Sequence, residues 1–216
     1  GAPNMEQHVP LILMHSCDVK EGYLSDEESY ALLQEVLKEV RTLADSSHFS
    51  SYLMDERRWL SPRVVKDLAR MGILGRMLCP REVGGWGMKW VHIAKVQHQM
   101  GAIDSAMATF VGVSSTLGVL PMARFGSPLA KEIVFPRLVE GSALGAFAFT
   151  EFSSGSSFQT LIAGTAKPVP GTGGEEWLIN ADKMWVGNGA WSDIMYLFVN
   201  QLSEEGKAPG ELMGFW

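Results

Sequence analysis

Gly141-Ser142-Ala143-Leu144-Gly145-Ala146-Phe147-Ala148-Phe149-Thr150-Glu151-Phe152-Ser153-Ser154-Gly155-Ser156-Ser157 is where the chain changes its period. Before Gly141, apolar residues recur every three or four positions. After it they gather in short runs of Phe, Val, Ile, Trp and Thr that Gly, Pro and Asn separate. The first pattern lays one apolar stripe along a helix and the second suits half-buried strands. The junction therefore divides an α+β protein into a helical domain, residues 25–143, and a β domain, residues 144–216. Strands are predicted at 144–150, 161–166, 177–179, 184–186, 194–199 and 213–216. The last run ends with no turn or polar tail, so the sheet is expected to be incomplete, with an unpaired edge.

Working back from the junction, Ser127-Pro128 predicts a helix to about Val139, bent or ended by Pro136. Asp104 to about Leu120 reads as a tightly packed central helix, and about Trp90 to Met100 as its neighbour. Pro80-Arg81-Glu82-Val83-Gly84-Gly85-Trp86-Gly87 reads as a loop and not a phosphate cradle. Ser61-Pro62 opens a helix that stops at Gly72. Ser25-Asp26-Glu27-Glu28 carries the capping-box pattern, followed by a stripe of Leu32, Leu33, Val36, Leu37, Val40 and Leu43.

Gly1-Ala2-Pro3-Asn4 reads as a tag remnant before Met5, so residues 1–24 are set aside as remnant and extension. Residues 9–14 are apolar but too short, and too poor in basic flanks, for a signal peptide. The long apolar run at 106–123 is interrupted by Gly112, Gly118, Pro121 and four hydroxyl residues, which favours a buried helix over a membrane span. The 216 residues carry 18 basic and 24 acidic side chains, a formal charge of −6, with no basic cluster. Nucleic acid and anionic membrane are therefore not expected partners. Cys17 and Cys79 lack metal-ligand spacing and read as two unpaired thiols, which suits a reducing, cytoplasmic setting.

Read for chemistry, the residues alone supply no paired carboxylates at useful spacing, no metal-ligand cluster, no G-x-S-x-G elbow and no P-loop. No catalytic residue and no metal site are expected from them. His92 and His98, six apart on one helix, fall on opposite faces and read as surface or core-edge residues. Met100, Met107 and Met122 read as core filler. Two segments are more suggestive. Phe147 to Ser157 runs a strand into a loop dense in hydroxyls and amides, which would bind a polyanion or form a plain Ser/Gly turn. Lys183-Met184-Trp185-Val186-Gly187-Asn188-Gly189 sets a large ring beside an amide-rich bend. That ring would stack on a planar cofactor or fill the core, the commoner use of a tryptophan.

In order, these segments resemble the acyl-CoA dehydrogenase and oxidase superfamily. Gly72-Ile73-Leu74 with Pro80 to Gly87 looks like its "GL…P.E.GG.G" stretch, and Phe125-Gly126 through Pro136-Arg137-Leu138 to Gly141 like its "G…K…PRLA.G" helix. Ala148-Phe149-Thr150-Glu151 with Gly155-Ser156 is similar to "TEP.AGSD", and Ile179-Asn180 through Asn188-Gly189 to Asp193 to "LNG.K.WITNG..AD". The resemblance covers roughly residues 25–216. It implies the family's amino-terminal helical domain followed by a partial β-barrel domain, with the carboxyl-terminal helical bundle missing.

The resemblance also implies FAD-dependent α,β-dehydrogenation of an acyl thioester, carried on CoA or on an acyl-carrier protein. Phe147, Phe149 and Thr150 would meet the isoalloxazine. Ser156 would reach the phosphate region of cofactor or the acyl-CoA substrate, and Trp185, Val186 and Gly187 would flank the flavin's other side. The family's catalytic glutamate lies in the bundle, so no catalytic residue is named in this chain. Phe152 stands where the family usually has proline, Ser157 where it has aspartate, and Gly187 where it has threonine or serine. The last resembles the acyl-CoA oxidase branch, so an oxidase or flavin monooxygenase using O2 is the alternative, and a non-catalytic binding module a third. A homo-oligomer, or assembly with a complementary carboxyl-terminal half, is expected from the unfinished sheet and apolar helical surface.

Overall fold

The computed structural model describes residues 22–157, 162–173, 176–202 and 212–216. Residues 1–21, including the tag remnant and Cys17, and Leu161 of the second predicted strand lie outside them. The described chain is α+β, helices first. Ser25 Oγ accepts from the Glu28 amide at 3.2 Å and Glu28 Oε2 accepts from the Ser25 amide at 2.9 Å, a reciprocal cap that starts α1, Asp26–Ala44. Its stripe of Leu33, Val36, Val40 and Leu43 is buried, with Leu32 and Leu37 packed at the margin.

α2, Ser51–Arg57, is a short helix that the apolar pattern did not announce, because it buries only Met54. α3, Pro62–Arg70, follows its Ser61-Pro62 signal. In the 80–87 loop a single 3₁₀ turn, Arg81–Val83, is closed by Gly84 in the left-handed region at φ 83°.

α4, Trp90–Ile103, and α5, Ser105–Val113, pack side by side. The predicted central helix does not stop at Leu120. It continues through a π turn, Ser114–Gly118, into α6, Leu120–Phe125. The turn has local causes. Pro121 lacks the amide that would bond to the Leu117 carbonyl, while the Ser115 and Thr116 hydroxyls bond back to Val111 O (2.9 Å) and Gly112 O (2.5 Å). By length and hydropathy Ser105–Phe125 is able to cross a membrane, yet Met107, Phe110, Val111, Val119 and Met122 are buried in the protein core. α7, Pro128–Ile133, and α8, Phe135–Glu140, break at Val134 because Pro136 has no amide for the Glu132 carbonyl.

Among the described residues five strands form one sheet: β1, Gly145–Ala148; β2, Thr165–Pro168; β3, Trp177–Asn180; β4, Ile194–Gln201; β5, Leu212–Phe215. β4 is central. β1 pairs parallel with its first half and β2 with its end, on one edge, while β5 lies antiparallel on the other. β3 closes an antiparallel hairpin on β2. The strand predicted at 184–186 does not form: residues 181–186 are irregular, and Trp185 has a left-handed backbone at φ 57°, which no strand accommodates.

One buried cluster fills the space between α1, α3, α4 and α5. A second lies between the later helices and the sheet, where Val119, Met122, Phe135 and Leu138 meet Tyr196. The backbones touch there. A Cβ on Gly145 would stand 2.4 Å from Gly118 O, and Tyr196 Oη donates to that same carbonyl at 2.8 Å. The π turn is thus the seat on which β1 and β4 rest.

Candidate functional site

β1 leaves the core at Phe149-Thr150 and turns sharply at Glu151-Phe152-Ser153-Ser154. The turn is closed by Glu151 N donating to Ser154 O (2.9 Å) and Ser154 N to Glu151 O (3.2 Å). Glu151 points inward. Its Oε2 accepts from Ala163 N at 2.6 Å, and its Oε1 accepts from Gly164 N at 3.0 Å and from Lys183 Nζ at 2.6 Å. The two charged side chains are only 4% and 7% exposed. Burial pushes the Glu151 carboxyl up, but the Lys183 ammonium and the two amides outweigh it and hold the carboxyl below its ordinary range. Lys183 Nζ also donates to Phe149 O at 3.3 Å, and Met184 N to Thr150 O at 2.9 Å.

These bonds lay the 183–189 segment beside the end of β1. Trp185 then projects outward, its indole 82% exposed, so the core-filling reading of that tryptophan is wrong. Three residues on, Asn188 Nδ2 donates to Ser114 Oγ at 2.7 Å, inside the π turn. Asn188 Oδ1 and Ser154 Oγ are buried and have no hydrogen-bond partner among the described residues.

Between α4 and α5 runs a groove of about 540 Å³, lined by Ile93, Ala94 and Gln97 on one side and Ala108, Gly112 and Val113 on the other. Ser115 and Thr116 also line it, with hydroxyls tied back to their own helix, so its walls are mostly apolar apart from the Gln97 amide. A Cβ on Gly187 would lie 3.7 Å from the Val113 side chain, so the groove wall and the Trp185 bend adjoin.

The implied site residues fall into three places. Phe147 and Phe149 stack 5.9 Å apart and both pack on Phe198, at 4.7 and 5.2 Å, leaving them half-buried. Hydrogen bonds through Phe149 and Thr150 carbonyls bring Trp185, Val186 and Gly187 next to that cluster. Ser156 lies exposed beyond the Glu151–Ser154 turn, near a Phe152 that is 96% exposed. His98 is exposed, whereas His92 is buried and bonds through Nδ1 to Ser29 Oγ at 2.6 Å. Sequence reasoning missed the two bonded pairs Glu151–Lys183 and Ser114–Asn188. The available signal was two lone charges, each beside an apolar run. Among the described residues no cluster of His, Cys, Asp and Glu suits a metal ion.

Residues 32–142 match the acyl-CoA dehydrogenase N-terminal domain. The chain is similar to the very long-chain specific acyl-CoA dehydrogenase of Rattus norvegicus, 30% identical over 62% of this chain and 20% of that protein. Its fold is similar to butyryl-CoA dehydrogenase from Megasphaera elsdenii, with TM-score 0.71 and 21% identity over 89% of this chain and 48% of that one. It is also similar to a glutaryl-CoA dehydrogenase from Mycobacterium smegmatis solved in complex with FADH2, with TM-score 0.67 and 26% identity over 82% and 43%. The chain thus spans about a fifth of the rat relative and less than half of each solved structure. With its helical domain, its docked sheet and a family match over just over half of its residues, the chain belongs to the acyl-CoA dehydrogenase family.

Proposed function

We propose that this chain supplies the flavin-facing and acyl-facing walls of an enzyme that carries out FAD-dependent α,β-dehydrogenation of an acyl thioester. One observation carries the reading: an exposed indole, held in a left-handed backbone, stands beside an apolar groove and joins it through Gly187 and Val113. An exposed aromatic face beside a half-buried aromatic cluster suits a planar ring system. Buried Asn188 Oδ1 and Ser154 Oγ, without partners among the described residues, suit a ligand rich in hydrogen-bonding groups.

FAD, when bound, supplies the acceptor for the hydride that leaves the substrate β-carbon. The chain's own residues would do the rest of the work assigned to this half. Trp185, Val186 and Gly187 would cover one side of the ring, with Phe147, Phe149 and Thr150 beside it. The groove would take the acyl chain and exclude water, strengthening every polar contact nearby. The hydroxyls of Ser153 and Ser156 would meet the polar end of the cofactor or of the CoA or carrier arm. The exposed stripe of Phe125, Leu129 and Ile133 supports the further reading that this half assembles with more protein.

The test is anaerobic turnover of a saturated acyl-CoA by the whole protein with an artificial electron acceptor, following the conjugated enoyl thioester. Product formation supports the reading; absence of both flavin binding and product overturns it. A second reading, reduction of O2, rests on Gly187, which carries no side chain although an added Cβ would make only ordinary contact with Val113. Turnover in air without an added acceptor, lowered by Gly187→Ser, would favour it.

A further inference from the structure

Trp185 combines two unfavourable properties. It is a bulky residue in the left-handed region, which side chains with a Cβ avoid, and its indole is 82% exposed, so packing does not offset the strain. Such a conformation persists only where its surroundings fix it, and here both flanks are fixed by buried groups. Upstream, Lys183 Nζ is clasped by Glu151 Oε1 at 2.6 Å and Phe149 O at 3.3 Å, and the next amide, Met184 N, bonds to Thr150 O at 2.9 Å. Downstream, Asn188 Nδ2 bonds to Ser114 Oγ at 2.7 Å, and Gly189 N closes a turn onto Val186 O at 3.0 Å. One residue separates the lysine from the tryptophan and two separate the tryptophan from the asparagine. One clasp is anchored on the end of β1 and the other on the π turn that borders the apolar groove.

We infer that Lys183 and Asn188 are positioning residues that hold the Trp185 indole, strained and uncovered, as one wall of the planar-ring site; this rests on the flavin reading above. Lys183 touches no ligand in this account. Its ammonium ties the Trp185 bend to the Phe147–Phe149 strand end, so the placement of indole and aromatic cluster would be fixed before a flat ring binds.

The experiment is titration of FAD into the whole protein, reading flavin fluorescence and the dissociation constant, for wild type, Trp185→Phe, Lys183→Met, Lys183→Arg and Asn188→Ala. Wild type is expected to quench flavin fluorescence and Trp185→Phe to lose most of that quenching, which identifies the indole as the quencher. Lys183→Met should lose the quenching as Trp185→Phe does and bind FAD at least about tenfold more weakly, with Lys183→Arg restoring most of both. Asn188→Ala removes the second clasp without leaving a buried charge, and should show the same loss where Lys183→Met does not fold. Wild-type quenching and affinity in Lys183→Met or in a folded Asn188→Ala, with only the melting temperature lowered, would reduce both to structural residues and overturn the inference. FAD binding with quenching that Trp185→Phe leaves intact overturns the inference alone; absence of FAD binding by wild type removes the flavin reading and this inference with it.

Discussion

Asn188 and Ser114, 74 residues apart, meet through a 2.7 Å hydrogen bond buried between the bend after Trp185 and the π turn after α5. The bond links the helical domain to the 183–189 segment. Ser114→Ala removes the acceptor and leaves the buried Asn188 amide without it. The expected loss is about 1–3 kcal/mol of stability, read by urea unfolding. A change below about 0.5 kcal/mol, the range of ordinary surface substitutions, would show that the bond contributes nothing.

Glycines at the domain junction separate into two kinds. A Cβ on Gly145 would lie 2.4 Å from the Gly118 carbonyl oxygen and 2.6 Å from Gly118 Cα, backbone atoms that cannot move without parting sheet from helix. Gly145→Ala should cost about 3 kcal/mol or more, or prevent soluble folding. Gly187→Ser, whose Cβ would make only ordinary contact with Val113, should stay within about 0.5 kcal/mol of wild type. Equal melting temperatures for the two variants would contradict the assignment.

The Glu151–Lys183 pair predicts an acid-sensitive part of the stability. The folded carboxyl titrates below its ordinary value of 4.5, so its contribution is fully present above that pH and lost as pH falls through the folded value. Glu151→Gln abolishes the contribution and strands a buried ammonium, costing about 3–5 kcal/mol at pH 7. The stability gap between wild type and Glu151→Gln should therefore be widest near neutrality and shrink as pH drops below 4.5. A gap that is constant from pH 7 to pH 3 would mean the carboxylate charge plays no part.

Cys79 is 1% exposed, and burial pushes its thiol up to about 12. It should resist iodoacetamide at pH 8 in the folded protein and react on unfolding, as followed by the mass of the Cys79 peptide. Rapid alkylation under native conditions would show that the segment between α3 and α4 opens.

Three helices were legible because a start signal opens each: Ser25 with Glu28, Ser61 with Pro62, Ser127 with Pro128. α2 was not, since one buried methionine makes no pattern. The change of period after Gly141 announced β1 correctly in kind, and the runs at 194–199 and 213–216 both lie on strands. The 184–186 run misled because Met, Trp and Val read as strand-forming, whereas the clasps at Lys183 and Asn188 force a left-handed turn between them. Those clasps join positions 32 and 74 residues apart, and local patterning carries no information at that range. The family resemblance singled out the 147–157 and 183–189 segments, which the Met184–Thr150 and Lys183–Phe149 hydrogen bonds bring together. The groove was invisible to it because small residues on α4 and α5, such as Ala94, Ala108 and Gly112, read equally well as close helix packing.

The most direct test of the central claim, that groove and tryptophan bend form one site, is the visible absorption spectrum of the FAD-loaded whole protein during anaerobic titration with a saturated acyl-CoA. Wild type and Gly112→Leu would be compared; a Cβ at Gly112 meets nothing closer than Gln97 at 3.5 Å, so the leucine should fill the groove while the fold is kept. Acyl-CoA is expected to perturb or bleach the flavin band in wild type, whereas Gly112→Leu should bind FAD normally but need at least about tenfold more acyl-CoA. A flavin band that saturating acyl-CoA leaves unmoved, or an identical response in Gly112→Leu, would contradict it.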